Sequence, residues 1–341
     1  MSQGSMDQKG ISRGIFIAWH VFSRRGQLLS EKLQLDLYLV HALKPHYFLA
    51  PVRYALQAAR TFAILAREKP RLVFVQNPPI FAAVVIYIYA RLWNARYVID
   101  SHTGGLLAPW WQWSLPIHAF LSRRAITTIV TNEHLQAMVE SWGADSFIIG
   151  DVPTTFPPGK PFSLDGKFSV AVINTFSPDE PLEEILEAAA TLPDVQFYVT
   201  GNPLRAKRSL FERKPDNVRF TGFLPDEEYY GLLRAAQAVM VLTTDNYTMQ
   251  RGACEAVSLG KPVITSDWPI LREYFGKGTI HVDNSAQSIR EAVIRMQREQ
   301  REMEEEILVL QQERRQEWRE KQAQLEQRVG GYETRPRAAN G

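Results

Sequence analysis

Cysteine is almost missing from this 341-residue chain. The lone thiol, Cys254, cannot close an intrachain disulfide, so no cysteine framework holds the fold, which fits a reducing compartment. An excess of one charge is missing too: 39 Lys and Arg stand against 37 Asp and Glu, for a formal charge of +2. A general nucleic-acid binder shows a strong basic excess, so no nucleic-acid partner is expected. Metal-ligand spacing is missing as well. The seven histidines (His20, His41, His46, His102, His118, His134 and His281) and Cys254 form no motif of that kind, and no metal is expected. The most apolar run, residues 80–90, falls short of the about 20 residues that span a bilayer and reads as a buried helix. Residues 1–10 are polar and lack the apolar core of a signal peptide. A cytoplasmic protein is the expectation, with peripheral contact to the inner face of the membrane left open. No Gly-x-Gly-x-x-Gly follows a strand, which argues against a dinucleotide-dependent dehydrogenase.

What is present is an alternation. After a loose leader (residues 1–12), short β-rich runs IFIAW, LDLYLV, LVFVQN, RYVIDS, ITTIVT and FIIGDV alternate with helical stretches up to about residue 150. Continuously apolar strands separated by helices predict a parallel sheet covered on both faces, a doubly wound α/β domain over 13–150. Residues 151–167 hold four prolines and two glycines without helical period and read as a linker. The alternation restarts with FSVAVINTF, VQFYVTG, NVRFTGF, AVMVLTT, PVITSD and TIHVD, predicting a second such domain over 168–284. The fold class is therefore α/β, with two Rossmann-like domains facing across a cleft.

Residues 285–329 contain neither Gly nor Pro, and Arg, Glu and Gln dominate. Ile289, Val293, Met296, Met303, Ile307, Leu310, Trp318 and Leu325 recur at helical steps, with polar Gln300 and Arg314 interrupting the seam. This predicts one long amphipathic helix. Two uses stay open: a charged face in water, or a coiled coil making a homodimer through 285–329. The tail, 330–341, reads as disordered.

The richest stretch for chemistry is YTMQRGACEAVSLGKPVITSD at 247–267. A helix starts near Gln250 and stops at Gly260, a natural left-handed cap. Gln250, Arg251 and Gly252 lie at its positive end, which suits a phosphate. Glu255, one turn in, can accept hydrogen bonds from two ribose hydroxyls, or can simply favour the helix dipole. In the first half, Asp100 and His102 close a strand at its carboxyl end, where ligands collect in open α/β sheets. His102 suits a general base, or a hydrogen-bond partner of a sugar; a polar strand end is the plainer alternative. Thr103, Gly104 and Gly105 follow as a flexible loop. Arg24 and Arg25, before Gly26, open a helix after the first strand and could neutralise a diphosphate or remain solvated charges.

EAVSLGKPVITSD resembles the carboxy-terminal signature of GT-B glycosyltransferases. NTFSPDEPLEEILEA at 174–188 resembles their phosphate-side loop, above all in the chitobiosyldiphosphodolichol β-mannosyltransferase-like group of family 4. FYVTGN, VRFTGFLPDEEYYGLL, VFVQNPP and YVIDSHTGG agree with the same family in order and spacing, over residues 14–284. The resemblance implies transfer of a sugar from a nucleoside diphosphate sugar, independent of metal, to a glycan or lipid-linked acceptor, with no cofactor besides that co-substrate. It implies acceptor binding in the first half, through Arg24, Arg25, Gly26, Thr103, Gly104 and Gly105. It implies donor binding by Thr175, Ser177, Glu180, Asn202, Arg205, Lys207, Phe223, Gln250, Arg251 and Gly252, and catalytic roles for His102, Asp100 and Glu255. Many retaining members carry two glutamates eight residues apart; the first falls here on Tyr247, so retaining and inverting outcomes both stay open. LLAPWWQWSLPIHAFLSRR at 106–124 gathers Trp110, Trp111 and Trp113 before an Arg pair, which suits a membrane interface or the lining of an acceptor cleft. Two other function classes remain: a catalytically idle GT-B scaffold, and a nucleotide-sugar epimerase.

Overall fold

The computed structural model describes residues 14–43, 47–202, 204, 212 and 214–333. The leader, Arg205, Lys207 and the last eight residues lie outside that set. Two compact units divide the chain: Met1–Val152 with Arg319–Gly341, and Pro153–Trp318.

The first unit holds a six-stranded, all-parallel sheet in the order β2-β1-β3-β4-β5-β6. Its strands are β1 (Gly14–Ala18), β2 (Asp36–Leu39), β3 (Leu72–Asn77), β4 (Arg96–Ser101), β5 (Thr128–Val130) and β6 (Ser146–Ile148). The helices between them are α1 (Arg24–Lys32), α2 (Ala50–Glu68), α3 (Ile80–Trp93), α4 (Thr103–Leu107), α5 (Leu115–Ser122) and α6 (Glu133–Ser141). Every residue of β1 and β3 is buried, as strands covered on both faces require. Ile15, Ile17, Val73, Val75 and Ile99 cluster with Leu65 of α2 and Ala82, Ala83 and Ile86 of α3. Each Val, Leu or Ile side chain among them contributes roughly 1.5–3 kcal/mol on burial. Local chemistry sets the helix starts: Ser23 Oγ accepts the Gly26 amide at 3.0 Å and Asn132 Oδ1 the Leu135 amide at 3.0 Å.

The second unit repeats the plan, in the order β12-β11-β10-β7-β8-β9, again all parallel. The strands are β7 (Phe168–Val172), β8 (Val195–Thr200), β9 (Val218–Gly222), β10 (Ala238–Val241), β11 (Val263–Ser266) and β12 (Thr279–Val282). The helices are α7 (Leu182–Ala190), α8 (Asp226–Ala235), α9 (Arg251–Ser258), α10 (Pro269–Tyr274), α11 (Ala286–Arg298) and α12 (Gln300–Glu333). One sheet face packs on α7 and α11, through Val172, Val199, Met240, Ile185 and Val293. The other packs on α8 and α9, through Ala171, Val239, Val241, Leu232, Ala253 and Val257.

Three expectations change. The proline-rich stretch at 151–167 has no regular structure before Phe168, yet it is no free tether. Phe156 is buried and meets the Tyr230 ring at 4.4 Å, and Arg234 donates to the carbonyls of Phe156 and Pro157. Gly231 permits this approach, because a Cβ there would lie 1.9 Å from the Lys160 carbonyl oxygen. Second, the carboxy-terminal helix is two helices, separated at Glu299, whose φ of −103° and ψ of 18° end α11. Third, its apolar stripe serves the chain itself. Ile289, Val293, Met296 and Met303 join one core of the second unit, and Ile307 and Leu310 the other. Trp318 and Leu325 are buried too, so the seam that one of the two open readings gave to a coiled-coil homodimer is covered within the chain.

Candidate active site

In the first unit the winding direction reverses between β1 and β3. Their carboxyl ends frame a pocket of about 520 Å³, lined by Trp19, His20, Val21, Tyr54, Pro78 and Trp111 among others. Ligands of doubly wound sheets bind at such a switch point. Tyr54 lies 6.2 Å from Trp19 and 4.8 Å from Phe81, and Phe81 in turn 6.3 Å from Trp111, so the wall is aromatic. None of these residues was singled out for the site except Trp111. The signal was available, since HV follows the first strand and PP the third.

Beside this pocket, β4 ends in Asp100, Ser101 and His102. Asp100 is fully buried. Arg25 Nε donates to its Oδ1 at 3.0 Å and its Oδ2 at 3.2 Å, and the remaining guanidinium nitrogens reach the carbonyls of Ile149 and Gly150. Burial opposes the charge on Asp100, but the Arg25 cation and the neighbouring His102 outweigh it and hold the carboxyl below its ordinary value. Arg25, expected to meet a diphosphate or to remain a solvated charge, instead pairs with the buried Asp100.

His102 Nε2 lies 3.5 Å from Asp100 Oδ2, too long for a well-formed hydrogen bond, and that nitrogen is buried. The side chain as a whole is 35% exposed. His102 stands just before α4, its amide donating to the Asn77 carbonyl at 2.8 Å. Thr103, Gly104 and Gly105 are thus the first turn of a short helix, not a flexible loop. Gly105 is required by packing, since a Cβ there would stand 2.6 Å from Asn77 Nδ2. Gly26 likewise lets α1 start against Phe16, whose ring a Cβ would meet at 3.2 Å. His20, pushed below its ordinary value by burial, faces the Pro78 carbonyl at 3.2 Å and lies close enough to His102 to feel its charge. Beneath the site runs a buried polar chain from Asn77 through Ser101 and His118 to Ser122 and Thr128.

In the second unit the switch point lies between β7 and β10. Gln250 caps α9, and Gly252 seats the helix on the end of β7, where a Cβ would come within 2.7 Å of Ile173. Glu255 is buried. Tyr229 donates to its Oε2 at 2.8 Å and Arg251 to its Oε1 at 3.3 Å. Burial and the Glu255 carboxylate push the Tyr229 hydroxyl well above its ordinary value, so it keeps its proton as a donor. Tyr229, missed in the sequence, orients Glu255 from α8.

The loop after β7 turns on Phe176, at φ +59°. Glu180 closes it: Oε2 accepts the amides of Thr175 and Ser177 at 2.8 and 3.0 Å, and Oε1 the Thr175 hydroxyl at 3.0 Å. Glu180, expected to bind the donor, thus holds the loop itself, and the Thr175 hydroxyl with it. Asn202 Oδ1 accepts the Leu204 amide at 3.0 Å. Gly201, at φ +112°, lies against Asn174, whose carbonyl oxygen a Cβ would approach to 2.2 Å. Next to it, past the end of β9, Phe223 is 81% exposed and not part of the core. Tyr247 sits in a turn closed by Asp245, which accepts its amide at 3.0 Å.

Two all-parallel, doubly wound units make the GT-B fold. Residues 158–321 match the family model described as "Glycosyl transferases group 1", which makes the second unit a group 1 glycosyl transferase domain and the chain a glycosyltransferase enzyme. Among solved structures the chain is similar to HepE from Anabaena in complex with UDP and glucose, at 16% identity over 92% of this chain and 91% of that one, with a TM-score of 0.65. It is similar to sucrose-phosphate synthase from Thermosynechococcus elongatus, at 16% identity, 92% and 98% coverage and a TM-score of 0.68. It also resembles a UDP-GlcNAc 2-epimerase from Methanocaldococcus jannaschii, at 13% identity, 82% and 91% coverage and a TM-score of 0.53. No curated protein matches the chain in sequence.

Proposed function

We propose that the enzyme transfers the sugar of a nucleoside diphosphate sugar to an acceptor hydroxyl, with the donor held in the second unit and the acceptor in the first. The group 1 match and the buried Glu255 at the start of α9 support the donor assignment. Phe223 offers an exposed ring on which a base can stack. The amino end of α9 meets the diphosphate, and Glu255, steered by Tyr229, accepts the ribose hydroxyls. The aromatic pocket between β1 and β3 takes the acceptor, and its apolar walls favour one that carries a lipid or another apolar portion over a bare sugar.

The observation that carries the reading is His102. With Nε2 turned towards Asp100, the partly exposed imidazole can take the proton of the attacking hydroxyl on Nδ1 as the bond from anomeric carbon to diphosphate breaks. Asp100 steadies the imidazolium that forms, and Arg25 keeps Asp100 ionised. The diphosphate leaves with the electron pair, and stabilising that charge is the largest contribution expected of the protein.

The test has two arms. Thermal-shift titration with UDP, GDP, ADP and their sugars should raise Tm with one base, by mass action on the folded state. Product analysis with the donor so identified should show sugar transfer. Binding with release of free sugar or an epimer would favour the epimerase class, and no binding by any nucleotide would favour a scaffold.

A further inference from the structure

The outer face of α2 is apolar where a helix of a water-soluble protein is normally polar. Val52, Ala55, Leu56, Ala59, Ala63 and Ala66 recur at steps of three and four and are all exposed. The buried residues of the helix, Gln57, Thr61 and Leu65, take the opposite side. The segment leading into it adds Phe48, at 81% exposure, and Leu49. The neighbouring α3 continues the surface with exposed Ile88, Leu92 and Trp93. Phe62 of α2 meets Trp93 edge to face at 5.5 Å, and Phe81 links Tyr54 of α2 to exposed Trp113, 5.9 Å away. Apolar surface of this extent marks an interaction site.

Its charges say with what. Arg53, Arg60 and Arg67 follow one another at seven-residue spacing, two turns each, along one flank of the apolar stripe, and Arg91 lies on α3. The two helices carry one carboxylate, Glu68, and it is paired with Arg67 at 2.7 Å. Arg53 lies over the Tyr54 ring, and Arg60 donates to the His41 carbonyl, so neither contact cancels the charge. An apolar stripe flanked by arginines, with aromatic residues at its margin, is the arrangement of a helix lying in a membrane interface. We propose that the α2–α3 face docks on the surface of an anionic bilayer, with Phe48, Val52, Leu56, Leu92 and Trp93 entering the acyl boundary and the arginines meeting lipid phosphates. A stripe of Val, Leu and Ala with no hydrogen-bonding side chain of its own fits a bilayer better than a protein groove, which would have to match it in shape. The surface adjoins the pocket proposed for the acceptor, which Arg53 and Tyr54 also line, but the inference does not rest on that reading.

The test is sedimentation of the full chain with vesicles of phosphatidylcholine alone and of phosphatidylcholine mixed with phosphatidylglycerol. Binding to the anionic vesicles only, weakened by salt, is expected. Arg60→Glu should lower the partition coefficient on the order of tenfold, and Phe48→Ser and Leu92→Ser should each lower it several-fold. All three sites are exposed, so an unchanged Tm keeps the comparison clean. Absence of binding to either vesicle, binding indifferent to anionic lipid, or variants that bind like the parent would each overturn the proposal. So would a lipid-free dimer that Leu92→Ser dissolves, which would give the face to a second copy of the chain.

Discussion

Arg25 and Asp100, 75 residues apart in sequence, meet at 3.0 Å with the carboxylate fully buried. The first turn of α1 is thereby tied to the end of β4, and the pair sets the floor under His102. Breaking one partner of a buried ion pair leaves the other uncompensated. Asp100→Asn is therefore expected to cost about 3–5 kcal/mol of stability in urea unfolding at neutral pH. The native carboxyl is held below its ordinary 3.8, so its contribution is present above that pH and is lost as pH falls below it. The variant should lack that acid-side decline.

His118 gives a second, separate pH dependence. Burial pushes it down to about 4 from 6.5. The unfolded chain then binds a proton between those values that the folded chain refuses, so stability is complete above pH 6.5 and declines towards pH 4. The full loss is about 3 kcal/mol. His20 and His281, also held low by burial, add to the same slope. His118→Gln should flatten the pH profile of unfolding without abolishing it.

At the proposed base, His102→Ala should lower kcat by about 10²–10⁴-fold while nucleotide affinity, read by thermal shift, stays unchanged. A parallel loss of affinity would instead mean that the residue holds the donor.

Tyr229→Phe tests the orientation of Glu255. Removing the hydroxyl leaves one carboxylate oxygen of a buried acid without its 2.8 Å donor, at a cost of about 1–3 kcal/mol in stability. Nucleotide affinity should fall with it. Glu255→Gln, which can still accept from Tyr229, should weaken nucleotide binding while costing less in stability.

The strands were legible along the chain because most are continuous apolar runs, as burial on both faces requires. IFIAW and AVMVLTT each became a central strand. The site was less legible, for a physical reason. Asp100 and Glu255 were found at their positions along the chain, but their partners Arg25 and Tyr229 come from other elements, and sequence proximity carries no trace of such pairing. Gly105 was read as part of a flexible loop, whereas it lies in the first turn of a helix packed against Asn77. The stripe from Ile289 to Leu325 had the right period, but periodicity cannot say whether the surface it meets belongs to the same chain.

Residues from Arg319 onward belong to the unit that also contains the amino-terminal half. Leu325 and Val329 are buried, Gln322 donates to the Lys32 carbonyl at 3.0 Å, and Arg328 pairs with Asp145 and covers the Phe147 ring. The part of the chain that is synthesised first therefore waits for residues synthesised nearly three hundred codons after Lys32 before its own structure is finished. During translation it must persist with an open apolar seam, while the second unit can close entirely from contiguous sequence.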